Sequence, residues 1–163
     1  MVFPIEKAPV SAGLYEGVKD PATGGGAGYL EVTSALSDEQ IATSYKLYYS
    51  IPKDGEAYAG ISMWFSEPQD LSEYQFIELT ISFGDDQARC RLFIKDSFEG
   101  YGVVTLGDGD IVSANKSEQT IKIPLKSFAS LSRKFVKKLD FDVNSSFVRG
   151  ENSFTVSKIR FLK

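Results

Sequence analysis

The residues from Tyr58 to Phe83 constrain the fold more than any other segment of the chain. Apolar and polar residues alternate in two runs, Tyr58–Ser66 and Phe76–Phe83, and an acidic break at Pro68–Ser72 separates them. Alternation with a period of two residues predicts strands that each bury one face, and a short break between two such runs predicts an antiparallel pair. Trp64, the only tryptophan, falls on the face opposite the apolar residues. Core packing does not require an indole there, so Trp64 is the first candidate for ligand contact.

The rest of the chain carries similar strand signals, separated by turn residues. The further predicted strands are Gly28–Ser34, Thr43–Ile51, Ala88–Lys95, Gly102–Leu106, Gln119–Leu125, Lys137–Val143 and Phe154–Leu162. In the last of these the apolar parity changes near Ser157–Lys158, which predicts a β-bulge. Helical signal is confined to Ser37–Ala42 and Ser127–Ser132. Short strands at this spacing predict an all-β fold, namely a two-sheet antiparallel β-sandwich of the jelly-roll type.

Length and charge bound the class of protein. A chain of 163 residues fits one domain, so residues 1–163 are predicted to be a single β-sandwich domain, excised from a larger polypeptide. The net charge of −4 argues against a nucleic-acid partner, because phosphate binding needs a basic surface. No apolar run approaches the roughly 20 residues that cross a bilayer, which argues against membrane insertion. The amino end lacks the features of a secretory signal, so the chain is either intracellular or exported with its signal removed.

The histidine count lowers the expectation of an enzyme, and the cysteine count excludes a disulfide. The chain contains no histidine, which removes Ser–His and Cys–His nucleophile pairs, histidine-ligated zinc and the commonest general base near neutral pH. It contains one cysteine, which excludes an intrachain disulfide. Cys90 shares the apolar parity of Leu92 and Ile94, so a buried thiol is predicted.

Five segments together resemble carbohydrate-binding modules of the galactose-binding-like jelly-roll group. They are YKLYYSIP at 45–52, the strand pair at 58–82, RCRLFIKD at 89–96, QTIKIPLKSF at 119–128 and FTVSKIRFL at 154–162. The most characteristic pieces are DLS-x-Y at Asp70–Tyr74 and IPL-x-x-F at Ile123–Phe128. The resemblance covers about Tyr45–Leu162.

The resemblance implies a non-catalytic domain that binds a glycan, is tethered to a larger protein and works in an extracellular or periplasmic setting. Members of the group often hold a structural calcium ion near the first and last strands. Here Ser157–Lys158 stands where an aspartate is common, and a lysine cannot ligate a cation; Glu6, Glu16 and Asp20 remain as candidate oxygen donors. Similar jelly rolls also form the extracytoplasmic ligand-sensing input domains of bacterial signalling proteins, which is the alternative function.

The candidate ligand-binding residues are those predicted to face outward on the strands of the resemblance. An aromatic ring stacks on the apolar face of a pyranose, while the sugar hydroxyls need polar donors and acceptors. Under the assumption that these strands share one sheet face, the predicted site consists of Trp64, Tyr48, Tyr58, Arg91, Phe93, Lys95 and Lys46.

Two carboxylates offer a competing, enzymatic interpretation. Asp140 and Asp142 alternate outward on the predicted strand Lys137–Val143. A pair of carboxylates is the machinery of glycoside hydrolysis, but two side chains on one strand point the same way and imply no cleft. We therefore expect them to be solvated strand charges, and we expect no enzymatic activity.

Overall fold

The computed structural model describes residues 2–4, 9–18, 28–37 and 40–163. Eleven strands span these ranges: β1 Val2–Pro4, β2 Pro9–Val18, β3 Gly28–Ser37, β4 Gln40–Ile51, β5 Ala57–Gln69, β6 Phe76–Phe83, β7 Cys90–Asp96, β8 Tyr101–Leu106, β9 Gln119–Pro124, β10 Val136–Asn144 and β11 Gly150–Leu162. The helical elements within the described ranges are two 3-10 turns, Leu125–Ser127 and Arg133–Phe135. Within the same ranges no helix has the length and apolar character that a bilayer span requires.

The strands form two antiparallel sheets. One runs β3-β4-β11-β6-β9, with β1 added beside β11, and the other runs β2-β5-β10-β7-β8. Neighbours in each sheet are mostly distant in sequence, as Greek-key connections produce. The protein is thus an all-β, two-sheet antiparallel sandwich with a jelly-roll fold, as the alternation predicts.

The core lies between the two sheets, and period-two alternation places its residues there. On β5 the residues Ala59, Ile61 and Met63 are at most 2% exposed. Trp64, the next residue along the strand, points outward, and Phe65 after it is buried again. The two sheets contribute the largest fully buried rings, Phe141 from β10 and Phe154 and Phe161 from β11. Burial of apolar surface at about 25 cal/mol per Å² makes this layer the main source of stability.

Most of the predicted strands are confirmed, with shifted ends. The bulge near Ser157–Lys158 is confirmed, because the pairing of β11 with β6 shifts between Ser157 and Arg160, and Lys158 has a φ of 51°. Cys90 is fully buried, as predicted.

Three expectations about local structure differ from the fold. The described residues of Ser37–Ala42 are not helical: Ser37 ends β3, residues 40–42 begin β4, and Ser37 pairs with Gln40. The second predicted helical segment, Ser127–Ser132, overlaps the turn Leu125–Ser127 only at Ser127, and its other residues lie between the two 3-10 turns. The sequence interpretation also assigned no strand before residue 28, although β2 pairs with β5 along nine residue pairs from Pro9 to Val18.

Candidate functional site

The outer surface of the five-stranded sheet carries most of the predicted site residues. We call this surface the Trp64 face and define it by the outward residues of four strands: Tyr58, Ser62 and Trp64 on β5; Lys138, Asp140, Asp142 and Asn144 on β10; Arg91, Phe93 and Lys95 on β7; and Tyr101, Val103 and Thr105 on β8. The prediction that Trp64 and the β7 residues share one surface is therefore confirmed.

Trp64 begins a row of four outward residues that runs from β5 across β10 and β7 to β8, and on its other side it pairs with Ser11 of the edge strand β2. It pairs in register with Lys138, which pairs with Lys95, which in turn pairs with Tyr101. Three strand spacings separate the two aromatic ends of this row by about 14 Å. The indole is 41% exposed and the Tyr101 side chain 51%. The row is thus a surface with an exposed ring at each end and two cations between them.

Lys138 covers part of the indole. Its ammonium nitrogen lies 4.5 Å from the centroid of the Trp64 ring, at the distance of a cation–π contact. The same nitrogen lies 3.2 Å from Oδ2 of Asp140. The lysine is therefore held between the ring and the carboxylate.

Asp140 is the charged centre of this face. Its side chain is only 2% exposed, and Oδ2 also lies 2.7 Å from the ammonium of Lys95. The hydroxyl of Ser62 donates to Oδ1. One buried carboxylate is thus shared by two ammonium groups, which offset the cost of its burial.

Asp142 forms the second ion pair of the face, with Arg91. The Nη2 atom of Arg91 lies 2.6 Å from Oδ2 of Asp142, which also accepts a hydrogen bond from Asn144 Nδ2 at 3.2 Å. The guanidinium lies between two rings, 5.0 Å from the centroid of Phe93 and 4.7 Å from that of Phe147. Arg91 and Phe93 are accordingly fixed by packing and pairing within the protein.

The expectation that Asp140 and Asp142 are solvated strand charges is wrong. Their residues are 2% and 8% exposed, and both carboxylates are ion-paired. The prediction treated each strand in isolation, whereas the neighbouring strands β7 and β5 bring cations and a hydroxyl over β10.

Tyr58 lies on the Trp64 face but far from the indole. Tyr58 is six positions before Trp64 on β5, which corresponds to about 20 Å along the strand. Tyr58 is 38% exposed and pairs in register with Asn144. It belongs to the opposite end of the same surface.

Tyr48 and Lys46 do not lie on the Trp64 face, so the assumption that the seven predicted residues share one face is wrong. Both are on β4, which belongs to the other sheet. Their outward direction was predicted correctly, but the chain crosses between sheets after β4, so outward residues of β4 and β5 point to opposite sides of the sandwich. Alternation defines the face of a strand and not the sheet to which it belongs.

On that opposite side, Tyr48 borders an open groove of about 470 Å³. The ring of Tyr48 lies 6.0 Å from that of Tyr29, and the Lys46 ammonium lies 4.6 Å from the Tyr48 centroid. Residues from β11 complete the wall, among them Glu151 and Asn152. This groove is a second exposed aromatic surface, separated from Trp64 by the thickness of the sandwich.

The predicted calcium donors Glu6 and Asp20 lie outside the described residues, and of Glu16 only the backbone pairing in β2 is described. In the part of the chain that the structure describes, no group of three or more acidic, cysteine or histidine residues could hold a metal ion. The calcium ion therefore stays a prediction.

The sequence interpretation missed Lys138, Tyr101 and Phe147. Lys138 shares the outward parity of Asp140 and was available from the strand pattern, but it was set aside within the basic cluster 133–138. Tyr101 precedes the predicted start of its strand, and Phe147 lies in the turn after β10. The register across strands identifies Lys138 and Tyr101 as neighbours of the site, and the contact with Arg91 identifies Phe147.

Comparison with solved structures identifies the fold. The family 30 carbohydrate-binding module of a cellulosomal cellulase of Clostridium thermocellum matches 100% of this chain and 98% of its own, with a TM-score of 0.71 and 16% identity. The family 11 module from the same organism, in complex with a β-1,3-1,4-mixed-linked tetrasaccharide, matches 99% of this chain and 94% of its own, with a TM-score of 0.62 and 14% identity. An exo-β-agarase matches 98% of this chain with 25% of its own, with a TM-score of 0.62 and 14% identity.

This chain therefore has the jelly-roll fold of those carbohydrate-binding modules, and the predicted resemblance is confirmed at the level of the fold. No family model and no curated protein sequence matches the chain. Because one fold supports many functions, the function has to be argued from the site.

Proposed function

We propose that this chain is a non-catalytic carbohydrate-binding domain whose glycan ligand lies across the Trp64 face. The observation that carries the proposal is the indole of Trp64, 41% exposed at an outward position of β5 on a sandwich that shares its fold with carbohydrate-binding modules. A single exposed ring needs no explanation, but apolar surface that is rimmed by polar and charged groups, as Trp64 is by Lys138 and Asp140, is typical of ligand-binding sites.

The row that begins at Trp64 supplies the two kinds of contact that a sugar needs. The exposed rings of Trp64 and Tyr101 offer stacking surfaces for the C–H faces of pyranoses. Lys95 and Lys138 lie between the rings and offer ammonium donors to hydroxyl or carboxylate oxygens. The distance between the rings exceeds a single sugar ring, so the ligand is an oligosaccharide or part of a polysaccharide chain.

The other predicted residues take different roles in this proposal. Arg91 and Phe93 support the middle of the face. Tyr58 contacts ligand only where a glycan extends to the far end of β5, and Tyr48 and Lys46 do not contact a glycan bound at Trp64.

The domain works as a targeting module tethered to a larger, exported polypeptide. The exo-β-agarase is one example of a long chain of which about a quarter matches this domain.

The absence of catalysis is proposed from the state of the carboxylates. Asp140 and Asp142, the paired carboxylates of the Trp64 face, are held by lysine and arginine partners at 2.7 and 2.6 Å. A carboxylate that is buried and ion-paired is poorly placed to act as a nucleophile or to deliver a proton to a glycosidic oxygen.

The proposal is tested by glycan-array binding followed by titration calorimetry of wild type and Trp64→Ala. We expect Trp64→Ala to weaken binding by at least about fivefold, since truncation of an aromatic anchor in a binding site typically costs more than about 1 kcal/mol. Tyr48→Ala is the matched control, because it removes an aromatic side chain of similar exposure, 39%, from the opposite face.

Three results would contradict the proposal: no glycan bound by the wild type, unchanged affinity in Trp64→Ala, or a loss in Tyr48→Ala equal to that in Trp64→Ala. Circular dichroism of each variant excludes unfolding as the cause of a loss.

A further inference from the structure

We infer that the glycan bound at the Trp64 face is anionic and that its carboxylate or sulfate group pairs with Lys138. This inference rests on the proposed function and names the class of its ligand. It is carried by the charge balance of the face and by the position of one ammonium group on the indole.

The Trp64 face has one more cation than it has carboxylates. Among its defining residues the cations are Arg91, Lys95 and Lys138 and the carboxylates are Asp140 and Asp142, which leaves one positive charge in excess. The chain as a whole has the opposite balance, with a net charge of −4. The positive excess is therefore a local feature of this face, opposite in sign to the net charge of the chain.

The excess charge is localised at Asp140, which serves two lysines at once. Its Oδ2 atom lies 2.7 Å from Lys95 Nζ and 3.2 Å from Lys138 Nζ, and its Oδ1 atom accepts from Ser62. A single negative charge cannot neutralise two ammonium groups. Of the two contacts with Asp140 the longer one belongs to Lys138, so Lys138 is the less tightly paired of the two lysines.

Lys138 is also the cation that a ligand on Trp64 meets first. Its ammonium lies 4.5 Å from the indole centroid, and its side chain is only 16% exposed, so the charge is already partly removed from water. A neutral sugar that stacks on the indole gains the stacking contact, but it removes more water from the uncompensated ammonium group, which is unfavourable. A sugar with an anionic substituent gains the same stacking contact and also neutralises the ammonium group of Lys138.

A uronate or a sulfate ester would supply that group, since each combines a pyranose ring with a negative charge at its rim. The two share the chemistry that the site selects, and matched ligands separate them. Tetramannuronate and mannotetraose are both β-1,4-linked and differ at C5, by a carboxylate in place of a hydroxymethyl group. A κ-carrageenan tetrasaccharide and its desulfated form differ only in the sulfate esters.

The experiment measures affinities of the wild-type protein for both pairs by titration calorimetry at low and high salt. We expect the charged member of at least one pair to bind about fivefold or more tightly than its neutral partner at low salt, as a partly desolvated ion pair provides. The preference should shrink at high salt, because the attraction of a rim charge is screened. Which pair shows the preference identifies the carboxylate or the sulfate.

Lys138→Met tests the named residue, since methionine keeps an apolar stem on the indole and removes the charge. We expect it to weaken binding of the charged ligand more than binding of the neutral one, and so to abolish most of the preference. Lys122→Met is the matched control: the Lys122 ammonium also lies over a ring, 5.3 Å from the Phe76 centroid, but on the other sheet. It should leave the preference unchanged.

The inference and the proposed function fail in different ways. If neutral oligosaccharides bind as well as or better than their charged partners, or if Lys138→Met keeps the preference, the inference is overturned and the glycan-binding function stands. If no oligosaccharide on the array binds at all, both are overturned.

Discussion

The carboxylate of Asp96 accepts a hydrogen bond from the backbone N–H of Ser132 at 2.9 Å, and so joins the end of β7 to a loop 36 residues further along the chain. The same carboxylate accepts from the N–H groups of Phe98 at 2.8 Å and Gly100 at 2.9 Å, within the turn between β7 and β8. Asp96 is 2% exposed. One side chain therefore holds both the β7–β8 turn and the loop that leads into β10. These two segments adjoin β7, which carries Lys95, and β10, which carries Lys138.

Replacement of Asp96 by asparagine should destabilise the fold by about 2 kcal/mol, because the amide nitrogen cannot accept from Ser132 and the remaining bonds lose their charge assistance. Urea unfolding of wild type and Asp96→Asn measures the change. Asp86→Asn is the control. Asp86 is exposed, its carboxylate accepts a 3.3 Å bond from the Gln87 side chain, and its bond from Arg89 goes to the backbone carbonyl, which the substitution keeps. Its effect should stay within about 0.5 kcal/mol. Equal stabilities of wild type and Asp96→Asn would contradict the role given to Asp96.

The contribution of Asp96 should depend on pH in a defined direction. Burial alone would raise the pKa of Asp96, but the hydrogen bonds from Ser132, Phe98 and Gly100 outweigh it and hold the pKa below the usual 3.8. A group with a lowered folded-state pKa stabilises the protein above its unfolded-state pKa, and this stabilisation is lost as the pH falls through the folded-state value. The difference in unfolding free energy between wild type and Asp96→Asn should thus be constant near neutral pH and narrow below about pH 4. A difference that widens with acid would refute this sign.

Cys90 should be inert in the native protein. Its side chain is fully buried, and burial, with a smaller contribution from the charge of Asp142, raises the pKa of the thiol far above its usual value. Only the thiolate reacts with disulfide reagents, so native protein at about pH 8 should show no modification on the timescale in which unfolded protein titrates one thiol per chain. Ellman's reagent with and without guanidinium makes this comparison. Rapid reaction of folded protein would show that the strands around Cys90 open readily.

The fold was largely predictable from the sequence because the motifs that carry the resemblance are structural. In the DLS-x-Y piece, Asp70 accepts from the backbone N–H of Ser72 at 2.9 Å, which forms an Asx turn, while Leu71 and Tyr74 are buried. The IPL-x-x-F piece likewise buries its three apolar residues, Ile123, Leu125 and Phe128. None of these side chains belongs to the Trp64 face, so the resemblance located the fold and left the site to other arguments.

The site was predictable only as far as single strands determine it. The alternation correctly predicted that Trp64 points outward, but it did not show that Tyr48 lies on the opposite side of the sandwich. Nor could it report that Lys138 lies beside Trp64, because that contact depends on the antiparallel register of β10 with β5, whose residues are far apart in sequence. The alternation within one strand determines which of its faces is buried, but it does not identify the partner strand or the residue opposite.

The sharing of Asp140 by two lysines predicts a specific non-additivity in stability. Asp140→Asn should cost about 2 kcal/mol or more, because it leaves Lys95 and Lys138 near each other without the carboxylate that both contact. Lys138→Met alone should cost much less, since Lys95 still neutralises Asp140. In the Asp140→Asn background, Lys138→Met should become stabilising, because it removes one of two facing cations. Urea unfolding of the four proteins in the double-mutant cycle measures the coupling, which should be at least about 1 kcal/mol and should fall at high salt. Additive effects would mean that the two lysines do not share Asp140 in solution, and the excess charge at the Trp64 face would then lie elsewhere.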